Sequence, residues 1–401
     1  MTQWLSIIGM GEDGYAGLST SARLTLERAE VIIASDRMFA LLPPMNAERH
    51  VWPQPFSEIY DRIKSFAGRR TVLLATGDPM NFGVARKIFE IAPHEDIAVI
   101  PHLSAFSLAA ARMGWSLPDC DCFTIHGRPA ANLETFVQPD AKLLVLTQDE
   151  SSIDEACRRL VARGFQSSMV TVLENMGGER ERKTSFRADQ NPNLDWSALN
   201  TLAIHCIAGT AAKIYARVPG LPDDAFVHDG KITKREIRAM TIAALAPAPN
   251  QTLWDVGAGS GSISIEWMRS TRGCQAYAIE PNAARRDMIA TNADRLGTPR
   301  LFMFNGTAPD AYAGLPPPDA VFIGGGIDHA GVFEGAWKAL PAEGNLVANT
   351  VTLEGDARLI DLQKQFGGDL VRMDVSTLTN IGDMRAMRPR MSVLQWRVRK
   401  P

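Results

Sequence analysis

The segment Asp255-Val-Gly-Ala-Gly-Ser-Gly261 constrains this chain most. It directly follows the apolar run Thr252-Leu-Trp254 and precedes the amphipathic stretch from Ser262 to Arg269. Strand, glycine loop and helix in that order let the backbone approach a ligand closely, and the helix start offers free N–H groups. A dinucleotide fingerprint, Gly-x-Gly-x-x-Gly, would need glycine at position 262, which is Ser262. An acid two residues before Gly257 also suits a cationic amino-acid ligand better than a pyrophosphate. Glu280 ends the next apolar run about twenty residues on, where a carboxylate either accepts hydrogen bonds from two ribose hydroxyls or lies exposed at a strand end.

A chain of 401 residues exceeds one ordinary core, so two domains of roughly 150–220 residues are expected. The punctuation Val218-Pro-Gly-Leu-Pro-Asp-Asp-Ala225 places their junction. The expected division is residues 1–218, a linker at 219–229, and residues 230–401. Both halves read as α/β, with short apolar runs separated by helical segments. In the first half these are Leu5–Ile8, Val31–Ala34, Val72–Ala75, Ile97–Ile100 and Leu143–Leu146. In the second they are Thr252–Trp254, Gln275–Ile279, Ala320–Ile323 and Asn345–Ala348, the spacing of a doubly wound sheet.

Hydrophobic residues make up 45% and charged ones 22%, the balance of a soluble globular protein. No apolar run approaches the roughly 18 residues that span a bilayer, and the N-terminus reads as a first strand rather than a signal peptide. The five cysteines are scattered, and Cys120-x-Cys122 lacks a matching second half, so reduced thiols in a cytoplasmic protein are expected and no metal site. A formal net charge of −3 argues against nucleic acid as the main partner.

The glycine loop with Glu280 is the pattern of class I S-adenosylmethionine (SAM) methyltransferases. The segments Ile232-Thr-Lys-Arg-Glu-Ile-Arg238, Leu253–Glu266, Asn305-Gly-Thr-Ala-Pro309, Val321-Phe-Ile-Gly-Gly325 and Val347–Glu354 resemble, more narrowly, the precorrin methyltransferase/decarboxylase domain of corrin-ring synthesis. That resemblance implies SAM contacts at Thr233, at Gly257, Ala258, Gly259, Ser260 and Gly261, at Glu280, and at Gly306 and Ala308. Thr307 departs from the acid that many relatives carry. Thr233 and Glu236 also read as a Thr-x-x-Glu capping box.

In the first half, Gly9-Met-Gly11-Glu-Asp-Gly14 follows a strand and matches the dinucleotide fingerprint. The residues after Gly14 read as a loop, however, with the helix starting at a Ser19-Thr-Ser21 cap, and Thr76-Gly-Asp-Pro-Met-Asn-Phe-Gly83 forms a second ligand-type turn. With Ile100-Pro-His-Leu-Ser-Ala-Phe106, Ala109–Gly114, Ile125-His-Gly-Arg128 and Glu174–Arg180, these pieces resemble the tetrapyrrole methylase superfamily. The resemblance implies a two-lobed (class III) fold and a second SAM site at Gly9, Gly11, Gly77, Asp78 and Ser104, with His102 and Ala105 replacing the glycine and serine of many relatives. His126 reads as a structural histidine, whereas Arg128 suits carboxylate recognition. Arg385, Arg388 and Arg390 are either a solvated basic loop or further carboxylate partners.

The two domains in this order resemble the fused precorrin-6B methyltransferases. The family implies methylation at carbons 5 and 15 with decarboxylation of an acetate side chain, giving precorrin-8 on the way to cobalamin. It also implies one SAM per domain and a homo-oligomer, a tetramer through the C-terminal domain. Two other readings stand beside it: a methylase of RNA or another small molecule, and one domain serving only to hold the tetrapyrrole. No catalytic residue is identified from sequence.

Overall fold

The computed structural model describes residues 3–53, 55–192 and 194–401. Contacts divide the chain into two compact units, Met1–Ala130 with Phe136–Lys213, and Ala131–Thr135 with Ile214–Pro401.

The first unit holds two sheets. Strands β1 (Leu5–Met10), β2 (Val31–Ala34), β3 (Glu48–Val51), β4 (Thr71–Thr76) and β5 (Ile97–Ile100) form a parallel sheet in the order β3-β2-β4-β1-β5. The inner strands are buried on both faces, which is why they read as unbroken apolar runs. The register Met10↔Thr76 sets the carboxyl ends of β1 and β4 side by side, so the Gly11 and Gly77 loops are neighbours. Strands β6 (Cys120–Thr124), β7 (Lys142–Leu146), β8 (Met169–Glu174), β9 (Arg182–Arg187) and β10 (Asn200–His205) form the second sheet, ordered β6-β7-β10-β8-β9. Only the β6–β7 pair in it is parallel among the described residues. This is the two-lobed arrangement that the sequence implies. Ser19 caps the helix Thr20–Glu27 by accepting the Ala22 N–H at 3.2 Å, as expected. One helical turn, Gly14–Gly17, stands where a loop is expected, started by a tight turn from Gly14 N–H to the Gly11 carbonyl.

The second unit carries β11 (Thr252–Val256), β12 (Gln275–Ile279), β13 (Phe302–Phe304), β14 (Ala320–Ile323), β15 (Asn345–Thr350), β16 (Asp369–Met373), β17 (Ser376–Ile381), β18 (Met384–Pro389) and β19 (Val393–Arg399). Seven of them form one sheet, ordered β13-β12-β11-β14-β15-β19-β16, with β19 antiparallel to both neighbours; β17 and β18 form a separate hairpin. Strand order reverses between β11 and β14, the switch point at which a doubly wound sheet opens a ligand crevice. Trp267, Ile265 and Leu253 anchor the core on one face of this sheet; Trp396, Phe333 and Trp254 anchor it on the other.

Two sequence expectations are corrected here. Residues 219–229, expected as a linker, fall within the second compact unit, which resumes at Ile214, and three of them reach its core while Pro222, Asp224, Val227 and Asp229 stay exposed. Leu221 and Phe226 are buried there, and the Gly220 and Leu221 N–H groups donate to the Glu266 carboxylate at 2.7 and 2.9 Å. Thr233 and Glu236 form no capping box, because the helix Arg235–Leu245 begins one residue later, after Lys234, without a side-chain cap. The fully buried Arg238 organises that start instead, donating to the Thr233 and Leu221 carbonyls, to Glu266 and to Asp223.

Among the described residues no helix is long and apolar enough to cross a membrane.

Candidate active sites

In the second unit, β11 delivers the chain into a loop whose glycines all adopt left-handed backbone: φ is +74° at Gly257, +59° at Gly259 and +75° at Gly261. Side chains there would be strained, and at Gly261 a Cβ would also press to 3.0 Å on Ile289. The Gly257 and Ala258 N–H groups both bond the Ile279 carbonyl at the end of β12. Glu280, next in the chain and buried, clasps the loop: its Oε2 accepts the Gly259 N–H at 2.9 Å and its Oε1 the Asn282 N–H at 3.0 Å. Its carboxylate is therefore fixed by two backbone donors rather than exposed at a strand end.

Asp255 lies beneath the loop, fully buried, with Oδ2 accepting the Ser264 hydroxyl at 2.6 Å and the Ser264 N–H at 3.1 Å. Burial pushes its carboxyl up to about 6, against the opposing pull of the Ser264 bonds. Asp255 Oδ1 and Ser260 Oγ are buried without a hydrogen-bond partner among the described residues. A glycine loop that carries the unpaired Ser260 hydroxyl, over the unpaired Asp255 Oδ1, fits a small polar ligand such as SAM, as the residues of the 257–261 segment imply.

The other residues expected around this loop fall at the same edge of the sheet. Gly306 and Ala308 follow β13, whose Phe304 carbonyl accepts the Glu280 N–H, and the Ala308–Pro309 bond is cis. Thr233 follows Lys231, whose carbonyl lies 3.6 Å from where a Gly259 Cβ would stand, so this segment overhangs the loop. Sequence reading misses Arg285 and Asp229. Arg285 donates twice to Asp229, at 3.0 and 2.9 Å, and lies 4.0 Å from Glu280. The backbone N–H of Lys231 and then Arg285 hold the Asp229 carboxyl below its ordinary range. Nothing in the linear spacing of Asp229 and Arg285 signals the pair.

The three C-terminal arginines are not gathered. Arg385 and Arg388 are exposed on β18 and, three residues apart, point to opposite faces of the hairpin. Arg390 lies beyond the strand and pairs with Glu236 at 3.2 Å.

In the first unit a cavity of about 650 Å³ is lined by Gly11, Gly77, Asp78, Ser104, His126 and Arg128 among others. That volume falls in the usual small-molecule range of about 300–1,000 Å³. Gly9 is not in the lining but makes it possible: a Cβ there would stand 2.0 Å from the Gly77 carbonyl and 2.7 Å from the His102 nitrogen. Ser104 turns its hydroxyl to the start of the helix Ala105–Met113, accepting the Ser107 N–H at 3.1 Å. Asp78 accepts the Met80 N–H at 2.9 Å and so shapes the second turn. His126 Nδ1 lies 3.2 Å from the Thr147 carbonyl, a structural bond, while its ring still borders the cavity. His102 does not leave a gap where relatives carry glycine; its Nε2 lies 3.4 Å from Asp13 Oδ1, beside Gly11.

Glu12 and Arg37 also line this cavity and are missed by sequence reading. They form an ion pair, and Arg37 donates to Thr76 Oγ1 at 2.9 Å. Burial, then the nearby Arg180, holds the Arg37 guanidinium below its ordinary range.

Comparison with known proteins agrees with a two-domain architecture. Residues 5–190 match the family of tetrapyrrole (corrin/porphyrin) methylases, and residues 224–400 match the precorrin methyltransferase domain. The precorrin-6Y C(5,15)-methyltransferase (decarboxylating) of Sinorhizobium sp is 41% identical over 397 residues, covering 99% of this chain and 96% of that protein. Its counterpart in Mycobacterium tuberculosis is 38% identical, covering 98% of this chain and 99% of that protein. The solved C-terminal domain of the Rhodobacter capsulatus precorrin-6Y C5,15-methyltransferase is 44% identical, covering 46% of this chain and all of that one, with a TM-score of 0.44. Full-length identity at this level, joined to both domain matches in the same order, shows that the chain belongs to the decarboxylating precorrin-6Y C(5,15)-methyltransferase family.

Proposed function

We propose that the chain uses two SAM molecules, one per unit, to methylate precorrin-6B at carbons 5 and 15 and to release the carboxyl of an acetate side chain as carbon dioxide, giving precorrin-8 for cobalamin synthesis. The first unit acts at carbon 5, and the second acts at carbon 15 and drives decarboxylation. The observation that carries this reading is the presence of two glycine-lined sites of different design, one in each unit, within a chain so similar to C(5,15)-methyltransferases. Bound SAM supplies an electrophilic methyl group on a sulfonium.

The protein's own contribution is placement. Gly11, Gly77, Asp78 and Ser104 hold the cofactor in the first unit, over the close approach that Gly9 permits. Thr233, the 257–261 loop, Glu280 and the Gly306–Ala308 turn hold it in the second. An electron-rich ring carbon needs no protein nucleophile, so orientation within contact distance provides much of the rate. Arg128 at the cavity pairs with a peripheral carboxylate of the substrate, whereas Arg385 and Arg388, on opposite faces of the hairpin, and Arg390, paired with Glu236, cannot act on it together. Cleavage of the carbon–carboxyl bond leaves its electron pair in the conjugated ring, and a proton completes the new methyl group. We place the enzyme in the cytoplasm, as a homo-oligomer built through the second unit. The exposed Leu378, Ile381, Met384 and Met387 on the β17–β18 hairpin support that assembly.

Calorimetric titration of the full chain with SAM tests the reading, with two equivalents expected; one equivalent would instead make one unit a holding module. Mass spectrometry of the products then assigns the steps. Glu280→Ala is expected to retain one methyl addition and lose both the second addition and carbon dioxide release. Carbon dioxide release without the second addition would overturn this division of labour.

A further inference from the structure

The turn after β4 carries a strained backbone position. Phe82 sits at φ +57°, in the left-handed region, where a bulky residue is a rare and strained occupant. The turn leaves it little choice: Asn81 N–H bonds the Asp78 carbonyl at 3.1 Å and Ala85 N–H bonds the Pro79 carbonyl at 3.2 Å. Strain of this kind persists where the surroundings enforce it, and it collects at functional sites.

The conformation fixes where the ring goes. It meets the buried Phe106 edge-on, with centroids 5.9 Å apart and planes at 72°. It nevertheless stays 40% exposed and lines the cavity. The Arg128 guanidinium stands 5.4 Å from its centroid, a cation–π distance. Met80 in the same turn and Leu103, between β5 and the helix Ala105–Met113, are exposed as well. A ring needed only for packing would be buried like Phe106.

We propose that Phe82 is a positioning residue for the tetrapyrrole in the first unit, seating the macrocycle at the mouth of the cavity and holding Arg128 toward a peripheral carboxylate. This rests on the reading that the first unit methylates a tetrapyrrole. A cavity of about 650 Å³ suits one small molecule, so with SAM inside it most of the macrocycle lies across the mouth. An exposed aromatic surface beside a guanidinium complements a conjugated ring that bears carboxylates, whereas a guanidinium repels the sulfonium of SAM.

The test uses the full chain with Phe82→Gly, Phe82→Tyr and Arg128→Gln, reading methylation at carbons 5 and 15 separately. Glycine adopts the left-handed backbone without strain, so Phe82→Gly removes the ring and keeps the turn. It is expected to raise KM for the tetrapyrrole at carbon 5 about tenfold, with kcat at saturation and SAM affinity within about twofold of wild type. Methylation at carbon 15 is the internal control and stays unchanged. Phe82→Tyr restores the KM, and Arg128→Gln raises it like Phe82→Gly. Should Phe82→Gly unfold, Phe82→Asn, which also tolerates this φ, gives the same readout. An unchanged KM, an equal loss of SAM affinity, or a Phe82→Tyr as impaired as Phe82→Gly overturns the assignment. A wild-type chain that adds no methyl at carbon 5 overturns instead the reading of the first unit on which it rests.

Discussion

Glu280 Oε2 accepts the Gly259 N–H at 2.9 Å, tying the end of β12 to the middle of the glycine loop that follows β11. With Oε1 on the Asn282 N–H, both oxygens are anchored, and their remaining lone pairs are held in fixed directions.

Glu280→Gln leaves one of those two backbone N–H groups facing an amide donor instead of an acceptor. Hydrogen bonds to charged groups contribute about 1.5–3 kcal/mol, so SAM affinity at the second unit is expected to fall roughly 10- to 100-fold. Calorimetry should show one weakened and one intact site. Two unaltered sites would remove Glu280 from the cofactor assignment.

Asp255 makes the second unit sensitive to pH. Its carboxyl titrates at about 6 when folded, against about 3.9 in an unfolded chain, so the folded state binds the extra proton between those values. Stability therefore falls as pH rises through that window, by up to about 3 kcal/mol, and does not recover above it. The check is the thermal midpoint of wild type minus that of Asp255→Asn from pH 4 to 7. A difference that stays flat would contradict the assigned titration.

Arg238 and Glu266 form a buried ion pair at 2.7 Å, and Glu266 also receives the Gly220 and Leu221 N–H groups. Arg238→Ala strips the cation from a buried carboxylate and is expected to cost about 3–5 kcal/mol in urea unfolding. SAM affinity at the first unit should be spared. A loss below about 1 kcal/mol would mean that the backbone donors suffice to hold Glu266.

Gly9→Ala would place a methyl group 2.0 Å from the Gly77 carbonyl, and the two nearest atoms it meets are backbone. The β1 and β4 turns must separate, so the first SAM site is expected to be lost and stability to fall by about 1–3 kcal/mol. Normal methylation at carbon 5 by this variant would show that the close approach is dispensable.

How much of this was legible in sequence depends on how local the cause is. Val31–Ala34, Ile97–Ile100, Gln275–Ile279 and Ala320–Ile323 match β2, β5, β12 and β14 end for end; β2 and β14 are buried on both faces and so apolar throughout, while the edge strand β5 and β12 are only partly buried and are legible from their apolar residues. Strands β3, β9 and β18 were not legible: Glu-Arg-His-Val, Arg-Lys-Thr-Ser-Phe-Arg and Met-Arg-Ala-Met-Arg-Pro lie mostly exposed at sheet edges or in the hairpin, where nothing demands an apolar run. The strands β8 and β10 are nearly as buried as β2 and carry the apolar stretches Val170–Leu173, broken by Thr171, and Leu202–Ile204, but their polar ends hide their full extent.

By itself the sequence determined the two strand–glycine-loop units, the Ser19 cap and the doubly wound character of the second half. Each follows from neighbours within one or two turns of chain. Only the tertiary structure decided that Arg238 rather than a Thr233–Glu236 box organises its helix, that Leu221, Ala225 and Phe226 are core, and that Glu280 is locked to Gly259. It alone placed Glu12, Arg37 and the strained Phe82 at one cavity with Arg128. The physical reason is that burial and hydrogen-bond satisfaction are settled between residues tens of positions apart, and no local pattern records which partners they meet.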